Sequence, residues 1–540
     1  MNKYISKKNN KNLSVYFKKT TSLSGMYLNI ICTSICLLCY TDLGAQSVIT
    51  NPKTYRDFNP WNEGTNTSGL IFNPTQAFSG IKTGYDFTNG NFRIAMDAPD
   101  IHRYNITSES YRQLKKIRLH GNIGYTLENK KRHQWNATLQ PETHLINFGD
   151  TIAGRQRCET YYINGDIAIP LTQRWTIGGK LNYQALSNGK NTDPRNRNTQ
   201  TDLLFSPGLL LSFAQWHTGA NFIYHRINEK VTYSMVNQEN QDIRTFYPLW
   251  FYFNENFQNG LNNTRLYKEE QIGGAVQFYQ SNSRLKWFNE FSYTESTQLT
   301  DININKNDRA GETEHLELAY RGSLRLLSKL CHTIKPEYTH TSYINFDNLQ
   351  GKFDNNGEQK QENYGRVKRS ALFADQITLA YALSRPLDSL INIWTLHLRC
   401  GYRHEKSIFL IYPAQFSQPL NRTTCAVSYE HRIPIKKQLL EISTQIEYAT
   451  GNGSLLKIKT KNDAPLPEIK IAQKTDLLLR DFQIKTAETI RIDLHLQYTY
   501  PINEKYAFFG YAEAEYTRGI SSNCNDLHRL HLQLSTGLNF

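Results

Sequence analysis

The sequence has no apolar run long enough to cross a bilayer as a helix. Its one conspicuous apolar stretch, Met26–Tyr40, falls short of the roughly 20 residues such a helix needs. A mean hydropathy of −0.58 with 20% charged residues excludes a polytopic helical membrane protein. Cysteine is scarce. Beyond that stretch only Cys158, Cys331, Cys400, Cys425 and Cys524 occur, odd in number and far apart with no Cys-x-x-Cys, so neither a disulfide framework nor a zinc site is expected. The histidines fall at no ligand spacing, and no metal or cofactor is expected. A basic helix is missing too. The net charge of +14 is dispersed among carboxylates, which speaks against nucleic acid as a partner.

What stands at the N-terminus is the order of a secretory signal. Lys3, Lys7, Lys8, Lys11, Lys18 and Lys19 precede the apolar stretch, and Leu43-Gly44-Ala45-Gln46 follows it, so residues 1–45 read as a signal peptide cleaved after Ala45. Removing those six lysines and Asp42 leaves the mature chain at +9. For an exported protein, the simplest anionic partner is lipopolysaccharide. Residues 46–67 lack periodicity and read as a short periplasmic or lumen-entering segment, too small for a plug domain.

From residue 68 onward the dominant signal is alternation with a period of two, because successive strand side chains point to opposite faces. In the last segment Leu530, Leu532, Leu534, Leu538 and Phe540 share one face, while Arg529, His531, Gln533, Ser535 and Asn539 share the other. Ile490, Ile492, Leu494 and Leu496 alternate likewise with Arg491, Asp493 and His495, as do Leu396, Leu398 and Cys400 with His397, Arg399 and Arg403. A helix would show a period of 3.6. Alternation also suits a soluble sandwich with one wet face, but here the runs reach roughly 10–15 residues where soluble strands cluster near 5–6. Tight connections such as 170–174, 213–216, 434–437 and 501–504 alternate with long polar ones at 186–200, 236–263, 347–369 and 451–485. The aromatic end at Phe540 suits the strand that barrel assembly machinery favours. The prediction is an all-β transmembrane antiparallel up-and-down barrel over 68–540 in the outer membrane, with about 18 strands and 16 or 20 as alternatives. Twelve per cent aromatic residues, with 33 Tyr, suit the girdles of such a barrel.

The run Gly64-Thr65-Asn66-Thr67-Ser68-Gly69-Leu70, followed by Asn73-Pro74, Gly84-Tyr85, Gly90-Asn91-Phe92-Arg93 and Ser108-Glu109-Ser110-Tyr111, resembles the opening of an outer-membrane β-barrel family of the Bacteroidota that has no assigned function. Phe72-Asn73-Pro74 before Ser79-Gly80 is more loosely similar to the long-chain fatty-acid transporter class. These likenesses imply a barrel fold and assign no catalytic residue.

Three constellations bear on function. Ser187-Asn188-Gly189 is similar to an outer-membrane phospholipase site, but Ala185 stands where the base would be, so no catalysis is expected there. Phe246, Tyr247, Trp250, Phe251, Tyr252, Phe253 and Phe257 crowd one connection; they read either as a constriction offering ring surfaces to a ligand or as a self-packed cap. Lumen-facing charges of both signs are expected at Arg321, Arg325, Arg399, Arg403, Arg491, Glu513, Glu515 and Arg529, with an Arg491–Glu515–Arg529 cluster across the last three strands. Cys400 and Cys425 should lie nearly opposite each other on the lipid face. The leading functional expectation is a pore or transporter for an unknown small solute. A structural or surface-interaction barrel with a filled lumen comes second and an outer-membrane hydrolase third, so the chain is not expected to be an enzyme.

Overall fold

The computed structural model describes residues 59–540, apart from 74–76, 142–143, 237–242, 255–263, 283, 303–307, 356–357, 387–391, 462–471 and 504. Residues 1–45, the expected leader, and residues 46–58 thus lie outside the described residues. Strands β1 (Ala77–Gly90), β2 (Asp100–Leu114) and β3 (Ile117–His133) begin the wall, and the short β4 (Asn147–Asp150) lies off it. The wall resumes with β5 (Gly154–Pro170), β6 (Trp175–Lys190), β7 (Arg195–Phe213) and β8 (Trp216–Ser234). Two further short strands, β9 (Ile243–Phe246) and β10 (Phe251–Asn254), join β4. Then come β11 (Thr264–Ser281), β12 (Leu285–Ile302), β13 (Asp308–Leu327) and β14 (Cys331–Asn355). β15 (Glu358–Pro386), β16 (Asn392–Ile411), β17 (Ala414–Ile435) and β18 (Gln438–Gly453) follow. The long connection after them holds β19 (Lys457–Thr460), β20 (Ala472–Gln473) and helix α1 (Thr475–Thr486). β21 (Thr489–Pro501), β22 (Ala507–Gly519) and β23 (His528–Asn539) finish the wall.

Eighteen of these strands pair antiparallel with their chain neighbours, and β1 pairs with β23 to close the circle. Ser79 and Phe540 exchange both backbone hydrogen bonds at that seam, at 2.9 and 2.8 Å. Closure leaves no sheet edge for lipid to face. The outward faces are apolar and exposed, with Ile106, Ile123, Ile163, Leu181, Phe222, Ile272, Ile377, Val427, Ile446 and Leu494 among them. Trp175, Phe213, Trp216 and Trp287 fringe this band near the tight turns, and Tyr161, Tyr183, Tyr293, Tyr402 and Tyr448 lie farther along the same strands. A continuous apolar wall around a closed sheet, fringed by aromatics, is the surface of a transmembrane barrel.

Three details differ from the sequence expectation. The first wall strand starts at Ala77 instead of near 68, because residues 60–72 form two 3-10 turns. The segments at 186–200 and 347–369 are mostly paired strand: β14 and β15 run past the apolar band as one long hairpin whose mutual pairing satisfies their polar backbones. The third concerns register. The β21–β22 turn spans Ile502–Tyr506, so Asp493 meets Glu515 and Arg491 meets Thr517, one pair away from the expected alignment. Across the next hairpin Glu515 meets His531, not Arg529. Inward and outward faces are unaffected, since the shift is an even number of residues. Cys400 and Cys425 pair directly, both on the exposed outer wall.

Candidate functional site: a lumen obstructed at both ends

At the tight-turn end, residues 59–73 pack against the inner wall. Trp61 sits edge-on to Phe288 and Tyr279, with centroids 5.2 and 6.0 Å away, and stacks on Phe72 at 5.8 Å. Asn66 caps the second 3-10 turn through Ser68 N–H and donates to Gln277 Oε1 at 2.9 Å. Glu290, fully buried, is the polar anchor. One of its oxygens accepts from Thr65 N (2.8 Å), Thr65 Oγ1 (3.0 Å) and Gln277 (2.9 Å), and the other faces Arg321 at 3.1 Å. Two wall glycines make the close approach possible. A Cβ at Gly178 would lie 2.4 Å from Ser68 N, and one at Gly208 would lie 2.2 Å from Asn66 Oδ1. Gly178 and Gly208 are register partners on β6 and β7, so the wall is smooth where the segment lies. We expect Gly178→Val to displace residues 59–73 while the wall still closes, since overpacking costs about 1–3 kcal/mol. Limited proteolysis of the detergent-solubilised protein checks this. A segment as resistant as in the unsubstituted chain counts against it.

At the opposite end the long connections build a four-stranded sheet, in the order β4–β9–β10–β20. It shares an apolar core with the wall strands β16 and β17. Phe246, Leu249, Trp250 and Phe251 pack with Phe409, Phe416, Leu477 and Leu478. Phe251 stacks on Phe409 at 4.2 Å, and Trp250 stands edge-on to Phe246 at 5.6 Å. Helix α1 fastens the cap to the chain around it. Asp481 accepts from Trp250 Nε1 (2.9 Å) and from Ala95 N (2.7 Å). Burial pushes that carboxyl above the ordinary carboxylate range, against the two donors that hold it down. Leu249 and Trp250 both hold a left-handed backbone, with φ of 64° and 60°. Gln473 Nε2 and Lys474 N bond to their carbonyls at 2.9 and 3.0 Å and hold the turn in place.

Of the two readings of this aromatic run, packing fits the rings of Phe246, Trp250 and Phe251. Phe246, Trp250 and Phe251 are buried, which withdraws their faces from any ligand, whereas Tyr247 and Tyr252 stay partly exposed. Tyr247 reaches Asp347 at 3.3 Å. Phe253 pairs through its backbone with Thr245, and Phe257 lies outside the described residues.

The expected lumen charges do not converge on one site. Arg321 meets Glu290, Arg325 donates to Cys331 Sγ at 3.0 Å, and Arg403 meets Glu405 at 2.9 Å. Arg399 is exposed on the inward register. Arg491 reaches Glu447 and Asp493, each at 3.3 Å, and Arg529 lies 3.6 Å from Asp97. Glu513 accepts from Tyr511 at 2.5 Å. The Arg491–Glu515–Arg529 cluster does not form, for the register reason given above. Ser187 lies in the wall between Glu159 and Thr199, with no histidine beside it in either register. Sequence reasoning missed Glu290, Gln277, Trp61, Lys286 and Asp481. An acid at Asp476 and a base at Lys485, at the two ends of a short run with leucines at 477–479, were the available signal for helix α1.

An eighteen-stranded transmembrane barrel with its lumen obstructed at both ends is the class that these features define. The chain belongs to a family of unknown function (DUF6850), whose model matches residues 67–540. No curated protein matches the sequence. Among solved structures, the chain is similar to the RagAB peptide importer in its closed-closed state at 6% identity and a TM-score of 0.40, covering 86% of this chain and 87% of that one. It is similar to the outer membrane transporter YddB from Escherichia coli at 9% identity and a TM-score of 0.38, covering 85% and 80%. The toluene transporter TodX from Pseudomonas putida aligns at 9% identity and a TM-score of 0.29, covering 91% and 94%. Likenesses at that level say nothing of what this chain binds.

Proposed function

We propose that this chain is an outer-membrane barrel that admits a small polar or charged solute through a lumen guarded at both ends by its own polypeptide. The observation that supports this is the polar inner wall between the two obstructions, where Arg399 stays exposed on the inward register. A lumen filled for structural reasons would bury or pair such charges. On this reading residues 1–45 are a leader removed after Ala45, which the N-terminal mass of the membrane-extracted protein checks. Lipopolysaccharide surrounds the mature barrel, and barrel assembly machinery inserts it. The packed cap favours a second reading, a structural or surface-interaction barrel. Planar-bilayer recording decides between them: discrete conductance steps from correctly folded protein support a pore, and a silent bilayer supports the filled barrel.

A further inference from the structure

The geometry points to an oxyanion-binding site in the inner wall at the tight-turn end, with Lys286 and Arg325 as its two cations. This deepens the reading of a solute-admitting lumen by naming the solute class, and rests on that reading for its physiological sense. Lys286 on β12 and Arg325 on β13 are direct register partners. Like charges directly opposed across a sheet destabilise it. Two positions farther in the inward ladder, the same two strands set Glu290 against Arg321, which is complementary. The wall thus sets one cation against a matched carboxylate and places two cations side by side at the next polar rung.

A cavity of about 230 Å³ opens at that rung. Its carboxylates already have cations of their own: Lys335 holds Glu63, and Arg432 holds Glu430 at 2.9 Å and Glu441 at 2.6 Å. Among the described residues no carboxylate pairs with Lys286. Four cations, Lys286, Arg325, Lys335 and Arg432, line the cavity together with the carboxylates of Glu63 and Glu430, while Glu441 meets Arg432 from outside the lining. Around the wall the same register row continues from Arg325 to Thr333, then Ala382, then His397. Ala382 leaves a gap there, and Thr333 and His397 bring further polar groups to its edges.

A planar guanidinium fork, an ammonium and a hydroxyl are the donors that phosphate, sulfate and carboxylate take. A neutral sugar would gain little from two adjacent cations, and a metal ion would be repelled. The cavity is smaller than the roughly 300–1,000 Å³ of drug-sized sites, so it suits a small oxyanion or the anionic end of a longer solute with a few waters.

The test is equilibrium dialysis of the full chain in detergent at low ionic strength, with labelled inorganic phosphate and with unlabelled sulfate or acetate as competitors. The folded protein should bind phosphate saturably, and whichever anion displaces it most tightly names the class. Lys286→Met and Arg325→Met should each weaken binding roughly tenfold or more, as loss of a charge-assisted hydrogen bond does. Lys286→Arg should bind close to the unsubstituted level. Each neutral variant removes a like-charge opposition, so its barrel should keep the gel mobility of the folded form. Absence of saturable binding by the folded chain when each of the three anions is labelled in turn would overturn the site, as would folded Met variants that bind undiminished. Dialysis reads binding without current. A barrel that takes phosphate yet conducts nothing defeats the pore reading and leaves the site standing, and a conducting barrel that binds no oxyanion does the reverse.

Discussion

Leu494→Arg and Leu532→Arg should each lower the stability of the folded barrel by roughly 2–4 kcal/mol, the cost of a cation on the lipid face near the midplane. Both leucines stand on the exposed outer face of adjoining parts of the wall, Leu494 on β21 and Leu532 on β23, 45% and 37% exposed. That exposure would make them tolerant sites in a soluble protein, where single surface changes stay within about 0.5 kcal/mol. Water-filled surroundings and lipid therefore predict opposite outcomes for one substitution. Arg491→Ala is the internal control. Its ion pairs with Glu447 and Asp493 are partly exposed to the lumen, and such pairs contribute about 0–1 kcal/mol. Urea unfolding in lipid vesicles, followed by tryptophan fluorescence, measures all three. Leucine variants no less stable than Arg491→Ala would mean that the outer wall is not in lipid.

Removing the cap's anchor should open the long-connection end. Truncating a buried Trp or Phe to Ala costs about 3–5 kcal/mol, and Trp250 and Phe251 are both buried in the core that joins the cap to Phe409 and Phe416 of the wall. Trp250→Ala also leaves Asp481 without its indole donor, so the helix and the inner sheet loosen together. The wall strands pair independently of that sheet, so the doubly substituted protein should still migrate as a folded barrel. Single-channel conductance, or uptake of a bulky antibiotic by cells carrying the variant, should rise. A folded double variant whose conductance equals that of the unsubstituted chain would strip the cap of any gating role.

The wall was legible because its physics is local. Alternation at Leu530–Phe540 or Ile490–Leu496 needs only the pleat and one apolar solvent, and it gave the correct face for every strand of the last hairpins. Turn length was less legible: reading 501–504 where the chain uses 502–506 moved every partner of Arg491 by one pair, although no side chain changed face. The interior was hardest to read. Phe288, Trp61 and Phe251 are apolar yet point away from lipid, so hydropathy alone placed them poorly. Their partners are far away in the chain, as Thr65 is from Glu290, and no periodicity connects a short coiled segment to the wall it covers. Gly178 and Gly208 carried the signal, two inward glycines facing each other where the neighbouring rungs bear side chains, but such a patch has meaning only once a register is known.

The seam between β1 and β23 has a consequence for how the molecule comes into being. Every other pairing in the wall except the one spanning helix α1 joins strands that follow directly or across an excursion, so most of the sheet can zip hairpin by hairpin with little loop entropy to overcome. The last contact is of another kind, since Ser79 and Phe540 come from opposite ends of the barrel sequence. Until they meet, two unpaired edges face a hydrocarbon phase that offers no hydrogen bonds. Insertion and closure are thus coupled. A sheet still open would expose two such edges, the condition that favours association between copies, so early circularisation shortens the time each new copy needs shielding from its neighbours.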